Sequence, residues 1–357
     1  MGIKQLADLI AEEAPAAVST ESAASYTGKV LAIDASIFIH QFDSALPALT
    51  NRKGENISVL QGLFQRTAFM LQNGIKPLYV FDGIPPENKR FKDTKEGKVQ
   101  FKRRVNPSLT PESDRFKDLK TLLSHLGVPY IQAPSEAEAT CAHLVVNNVA
   151  WGAVTEDMDA LPFNCHRLIR NLKADKKIKV QEYNLPEILK RLKLSREQFV
   201  DLCILLGCDY TEKIRGLGRK KAFKMIQQYK SIEGILQVIQ PKDRIPPEFD
   251  YITARRLFLS PDIKQVDLED LRWTPPNDEK VLEFLSREKF MKKDRVIKVL
   301  KKLHTPQTQK RKLKTTGTSP SKQMKIGNFF PVKKSVHQNK STLGTHHTSS
   351  MEDVQRE

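Results

Sequence analysis

The chain has 357 residues, 39% of them hydrophobic and 28% charged, enough to bury a sizeable core in about two domains of ordinary size. No run approaches the ~18 apolar residues of a membrane span, the N-terminus has no signal-peptide pattern, and Leu6 stands where an N-myristoylation motif needs Ser or Thr. The net charge of +17 points to a polyanionic partner, and its placement favours nucleic acid: residues 301–357 hold 12 Lys+Arg against 3 Asp+Glu, and Lys89–Arg104 hold 8 against 2.

In chain order, "GKVLAIDASIFIHQF" (28–42) reads as a buried strand ending at Asp34, followed by a helix opening near Ala35 and Ser36. A helical pattern over 59–74 leads to "KPLYVFDGIPP" (76–86), a second apolar run closed by Asp82 and broken by Gly and Pro. Residues 87–113 are polar, basic and poorly periodic, and read as a mobile insertion. "WGAVTEDMD" (151–159) is a third strand with acids at its end. Runs this continuously apolar suit parallel strands covered on both faces, and their alternation with helices predicts an α/β sheet. From about Phe199 the chain reads as helical, and after Lys301 it turns polar, basic and low in apolar residues, as disordered segments do. Four cysteines without C-x-x-C spacing read as reduced core thiols of an intracellular protein.

Ligands of α/β sheets bind beyond the carboxyl ends of the strands, where Asp34, Asp82, Asp157 and Asp159 fall. Like charges crowded there repel unless water or a cation neutralises them. With Glu136, Glu138 and Asp209 they form a hard oxygen set of the kind Mg²⁺ takes. Two such ions ~3.5–4 Å apart can activate water and stabilise the leaving oxygen in phosphodiester hydrolysis. Each acid also has a plainer reading. Ser135 and Glu138 have capping-box spacing, Asp34 could be an N-cap, "FDG" a turn, and Asp209 a cap of the following helix. The set, with the basic patches, favours the metal reading.

The stretches "MGIKQLADLI", "AIDAS", "NGIKPLYVFDGIPP", "APSEAEA", "TEDMD", "QFVDLCILLGCDY" and "IRGLG" run in order through nearly the whole ordered chain. In them the chain closely resembles the flap endonuclease 1 family of structure-specific 5′ nucleases. The resemblance implies a PIN-like α/β fold: a mainly parallel central sheet flanked by helices, a helical arch, a helix–turn–helix element near 208–226 and a disordered basic tail. It implies an N-terminal nuclease region over 1–104 with the start of the arch, the rest of the arch over 105–121, and an internal nuclease region over 122–260. Core residues 261–303 and a tail over 304–357 complete this division. The implied activity is 5′-flap endonuclease and 5′-3′ exonuclease action on branched or nicked DNA in replication and long-patch repair. Asp34, Asp82, Glu136 and Glu138 are implied to hold one Mg²⁺ and Asp157, Asp159 and Asp209 the other, with Mn²⁺ as a substitute, while Glu156 is expected to point away. Lys89 is implied to stabilise charge on the reacting phosphate. Gly216, Gly218, Lys220 and Lys221 are implied to grip duplex DNA beside a K⁺ ion. "QMKIGNFF" fits Q-x-x-I-x-x-F-F at Gln323, Ile326, Phe329 and Phe330, implying binding to the sliding clamp PCNA. "QKRKLK" (309–314) reads as a nuclear-localisation cluster or DNA tether. A nuclear monomer without a membrane partner follows, with a mitochondrial pool left open.

Four departures from the family pattern stand out. The arch region between Asp82 and Glu136 is short. Glu96 replaces an arginine expected on the helix face of Lys89, with Lys92 or Lys95 as partial substitutes. His40 stands for a base-stacking Tyr, and Phe69 for an arginine near the retained, DNA-binding Arg66. The alternative function is a clamp-tethered flap-binding paralogue that cuts weakly or not at all; an RNA-directed nuclease of similar fold is a third reading.

Overall fold

In the computed structural model the chain begins with α1 (Leu6–Glu13), β1 (Val18–Glu21), β2 (Val30–Asp34), α2 (Ala35–Asp43), α3 (Ser58–Gln72) and β3 (Lys76–Phe81). Next come a short ribbon of β4 (Phe91–Lys92) and β5 (Val99–Gln100), then α4 (Asp114–His125), β6 (Tyr130–Gln132), α5 (Ala137–Val146) and β7 (Gly152–Val154). The last strands, β8 (Arg167–Arg170) and β9 (Val180–Asn184), precede α6 (Leu185–Leu192), α7 (Arg196–Leu206) and α8 (Arg219–Tyr229). Helices α9 (Ile232–Val238), α10 (Tyr251–Leu259), α11 (Asp278–Leu282) and α12 (Lys293–Leu303) follow. The structure describes residues 2–304 apart from 4, 44–47, 87, 88, 90, 93–98, 101–113, 175–177, 241–244, 267, 268 and 270. Lys95, Glu96, most of the arch, residues 309–314 and the clamp-peptide positions Gln323, Ile326, Phe329 and Phe330 therefore lie outside the described residues.

The sheet has the order β1-β9-β8-β7-β2-β3-β6, with β8, β7, β2, β3 and β6 parallel, β9 antiparallel to β8, and β1 at the edge antiparallel to β9. Its continuous apolar runs are explained by burial on both faces. Along β2, Ala32 joins one core while Leu31 and Ile33 join the other; along β3, Leu78 and Val80 oppose Tyr79 and Phe81. This is the two-residue period of a strand sandwiched between helical layers. One layer contains Leu6, Leu9 and Ile10 of α1, Ala137 and Leu144 of α5 and Val200 and Leu202 of α7. The other contains Phe38 of α2, Phe64 of α3, Leu119 and Leu122 of α4 and Val296 and Leu300 of α12. Among the described residues no helix is long and apolar enough to cross a membrane, and the four cysteines are free thiols.

Two expectations change here. Residues 114–121, assigned to the arch, begin α4, whose Phe116 and Leu119 are 2% and 1% exposed in the core. The described part of the arch start pairs as a ribbon, Phe91 with Gln100 and Lys92 with Val99. Phe91 and Lys92 are therefore paired in a strand rather than in a helix. The aromatic Phe91 and β-branched Val99 suit such paired strands.

Candidate active site

Because β2, β3 and β7 run parallel and end together, their following residues meet at one edge of the sheet. Asp34 closes β2 and is fully buried. Its Oδ1 accepts from the Ser36 and Ile37 amides at 3.0 and 3.3 Å, so it caps α2 while facing the site. Its Oδ2 accepts from Thr155 Oγ1 at 2.9 Å, and the same hydroxyl accepts from the Asp157 amide at 3.1 Å. Burial first, then the charge of Asp82, pushes the Asp34 carboxyl up to about 7. Asp82 accepts from the Ala137 amide at 2.7 Å, which docks the end of β3 on the first turn of α5.

Glu136 is the residue before α5 but its own side chain does not cap that helix, and the capping box expected from Ser135 and Glu138 does not form. Instead Glu136 takes the Lys89 ammonium on Oε1 and the Tyr210 hydroxyl on Oε2. Glu138, in the first turn, is held well above the usual carboxylate range by burial and by Asp34 and Asp82. Burial alone would lower Lys89, but the charges of Glu136, Glu138 and Asp82 outweigh it and keep the ammonium protonated.

Asp157 caps the short turn Met158–Ala160, its Oδ1 accepting from the Asp159 amide at 3.0 Å. Asp159 accepts from the Ile3 amide at 2.7 Å, which brings the start of the chain onto the site. Burial, then Asp157 and Asp209, raises Asp159 well above its ordinary range. Asp209 lies in the loop after α7 and acts on both Glu136 and Asp159; it does not cap α8, where Gly218 holds that position. Glu156 turns the other way, accepting from the Asn171 amide at 3.0 Å.

The seven acids are thus joined in one continuous series of neighbouring charges. Among the described residues no three Asp, Glu, His or Cys side chains form a ready-made ligand cluster. The carboxylates are spread onto internal donors: Thr155, Lys89, Tyr210 and four backbone amides besides that of Asp159. The donor set still fits a hard divalent cation. It is all oxygen, it is largely buried, and its mutual repulsion favours any cation that replaces those protons and amides.

The nucleic-acid positions divide. His40 is exposed on α2, and Lys220 and Lys221 are exposed in the first turn of α8. Gly216 has φ +70°, and space around Gly218 is open, so a phosphate could approach that turn closely. Arg66 is buried instead: its guanidinium lies 3.6 Å from the Phe38 ring and donates to Leu172 O at 2.8 Å. Burial pulls it down to about 10. The expected surface contact with DNA is replaced by an internal brace, because α3 turns this position into the core. Sequence reasoning missed Thr155, Tyr210 and the Gly2–Ile3 backbone. Each adjoins an acid in the sequence or opens the chain, but the bonds they make span 121, 74 and 156 residues.

Profiles of the XPG N-terminal domain and the XPG I-region match residues 1–104 and 127–209. Among solved structures, the catalytic core of Rad2 in complex with DNA substrate matches at TM-score 0.68 and 26% identity, over 85% of this chain and 100% of that one. The flap endonuclease-1 of Methanococcus jannaschii matches at 0.65 and 29%, over 80% and 95%. Fold and site therefore define a structure-specific nuclease, a hydrolase that cleaves DNA. Its sequence is 42% identical to flap endonuclease 1 of Homo sapiens over 328 residues, 85% of this chain and 86% of that protein. Against flap endonuclease 1-A of Sorghum bicolor it is 41% identical over 330 residues with the same coverage. The chain belongs to the flap endonuclease 1 family.

Proposed function

We propose that this nuclease removes 5′ flaps from branched DNA, with accompanying 5′-3′ exonuclease action, at the carboxylate site described above. Asp34, Asp82, Glu136 and Glu138 would hold one Mg²⁺ or Mn²⁺, and Asp157, Asp159 and Asp209 a second. Such ions supply an activated water and charge stabilisation at the leaving oxygen. The chain does the rest. Thr155 and the backbone amides fix the directions of Asp34, Asp157 and Asp159 before substrate arrives. Lys89 rests on Glu136 without substrate, and a phosphate beside Glu136 offers its ammonium a second anionic partner. Placed there, it lowers the barrier as negative charge grows on the phosphate. Buried walls at the strand ends strengthen each of these interactions by excluding water.

The turn over 207–218 and α8 would grip the downstream duplex through backbone amides, Lys220 and Lys221, with a K⁺ at the turn; His40 would stack on a terminal base. Residues 323–330 would tether the monomeric enzyme to PCNA in the nucleus. The observation that carries this reading is the electrostatic linkage of seven acids and one lysine where three parallel strands end. A labelled 5′-flap substrate with Mg²⁺ tests it. Wild type cleaves, and Asp157→Ala or chelation of the metal abolishes cleavage. Equal rates for wild type and Asp157→Ala would remove Asp157 from the mechanism.

A further inference from the structure

We propose that Glu12, with Asp8 beside it, is a built-in rival for the DNA backbone, holding the first cations of α8 until a duplex displaces it. The proposal rests on the reading of α8 as part of a duplex grip. Arg219 opens α8 and pairs through Nη2 with Glu12 Oε1, while its Nη1 lies 3.9 Å from Asp8 Oδ2. The Lys220 ammonium lies 3.8 Å from Glu12 Oε2. The hydrogen bond from Arg219 holds Glu12 below the usual carboxylate range, so the rival is anionic at neutral pH.

These acids are presented from a fixed support. Leu6, Leu9 and Ile10 anchor α1 in the core, and just ahead of it the Ile3 amide is bound to Asp159. The pairs are nonetheless open to solvent: Glu12 is 37% exposed and Lys220 72%, so a phosphate can reach the same cations. On the same helix Lys221 and Lys224 are exposed, and neither pairs with an acid among the described residues. The start of α8 therefore carries two cations already neutralised and two that are not.

The physical consequence lies in counterion release. A protein cation that neutralises a DNA phosphate releases the salt cation condensed there, and this makes affinity fall with salt. When that cation must first leave Glu12, the freed carboxylate takes a salt cation back from solution, so the net release is smaller. Duplex binding is then weaker and less salt-dependent than four cations predict. Glu12 thus sets how tightly, and with what salt dependence, α8 holds a duplex.

The test uses the full chain and a labelled nicked duplex, with anisotropy titrations from 50 to 300 mM KCl without divalent metal. Glu12→Gln is expected to tighten binding about 3–10-fold at the lowest salt. It should also steepen the log–log salt dependence by about 0.9–1.8, the release from one or two phosphates. Arg219→Ala should weaken binding less than about twofold in the native chain, yet about 5–10-fold in the Glu12→Gln background, where the guanidinium is available to phosphate. The basic tail contributes equally to every variant. An unchanged slope in Glu12→Gln overturns the proposal, even if its unfolding temperature drops, because a purely structural clasp behaves that way. So does an equal Arg219→Ala effect in both backgrounds. Lys221→Ala separates the two ideas: if it weakens binding while the slope stays fixed, only the rivalry fails. If it too changes nothing, the duplex-grip reading fails and takes the proposal with it.

Discussion

Thr155→Val keeps the shape of a side chain that is 1% exposed and deletes only its hydroxyl. That hydroxyl donates to Asp34 at 2.9 Å and accepts from the Asp157 amide at 3.1 Å, so one atom joins the acid ending β2 to the acid following β7. The lost bond to a carboxylate is worth ~1.5–3 kcal/mol, and leaving the buried amide unpaired adds ~1 kcal/mol or more. A net loss of about 2–4 kcal/mol corresponds to roughly 4–8 °C in unfolding temperature at about 2 °C per kcal/mol for a body of this size. The bond to Thr155 holds the Asp34 pKa down, so its removal moves that carboxyl above about 7 in the metal-free protein and makes a cation compete with a proton. Thermal melts, together with the Mg²⁺ concentration for half-maximal single-turnover cleavage, measure both effects. Valine should lower the first and raise the second, while Thr155→Ser, which retains the hydroxyl, stays near wild type. If valine and serine behave alike, Thr155 does not organise the acids.

Gly2 has φ +76°, and a Cβ there would overlap the Asp157 and Asp159 carboxylates. Gly2→Ala should therefore slow flap cleavage at least about tenfold with little change in the melt, since the strain falls on the acids rather than the core. Lys89→Ala should reduce the single-turnover rate about 10²–10³-fold while leaving the DNA dissociation constant within a few-fold, because the charge it stabilises develops in the transition state. Arg255 bridges the buried Asp201 and the half-exposed Glu233. Arg255→Ala should destabilise near the lower end of ~3–5 kcal/mol at neutral pH by stranding Asp201. The hydrogen bond from Arg255 lowers Glu233 to about 2, so its stabilisation is complete above its ordinary 4.5 and is lost as pH falls toward 2. Asp201, raised by burial, takes up its proton on the same descent. The gap between variant and wild-type melts should close as pH falls; a constant gap would mean the charges carry none of it.

How far the sequence could be read is visible in single elements. The runs 30–34, 76–81 and 152–154 are strands with their acids at or just beyond their ends, because strand and breaker signals act between neighbouring residues. The inward turn of Arg66 is not legible in the sequence, because a basic residue in a helical pattern does not reveal which face it takes once a neighbouring helix supplies Phe38 and a loop supplies Leu172 O. In residues 114–121 the charged positions mask the spacing of Phe116 and Leu119, which only the core makes decisive.

By itself the chain determined the α/β class, the acids at the ends of parallel strands and the basic character that suits a DNA partner. These follow from composition and short-range periodicity, which no distant contact needs to complete. Folding alone decided that Thr155 joins Asp34 to Asp157, that Tyr210 and Lys89 meet on Glu136, that Ile3 reaches Asp159, and that Glu12 faces Arg219 across 207 residues. Hydrogen bonds and ion pairs act over a few ångströms whatever the separation along the chain. Their partners exist only once the sheet has brought its strand ends together.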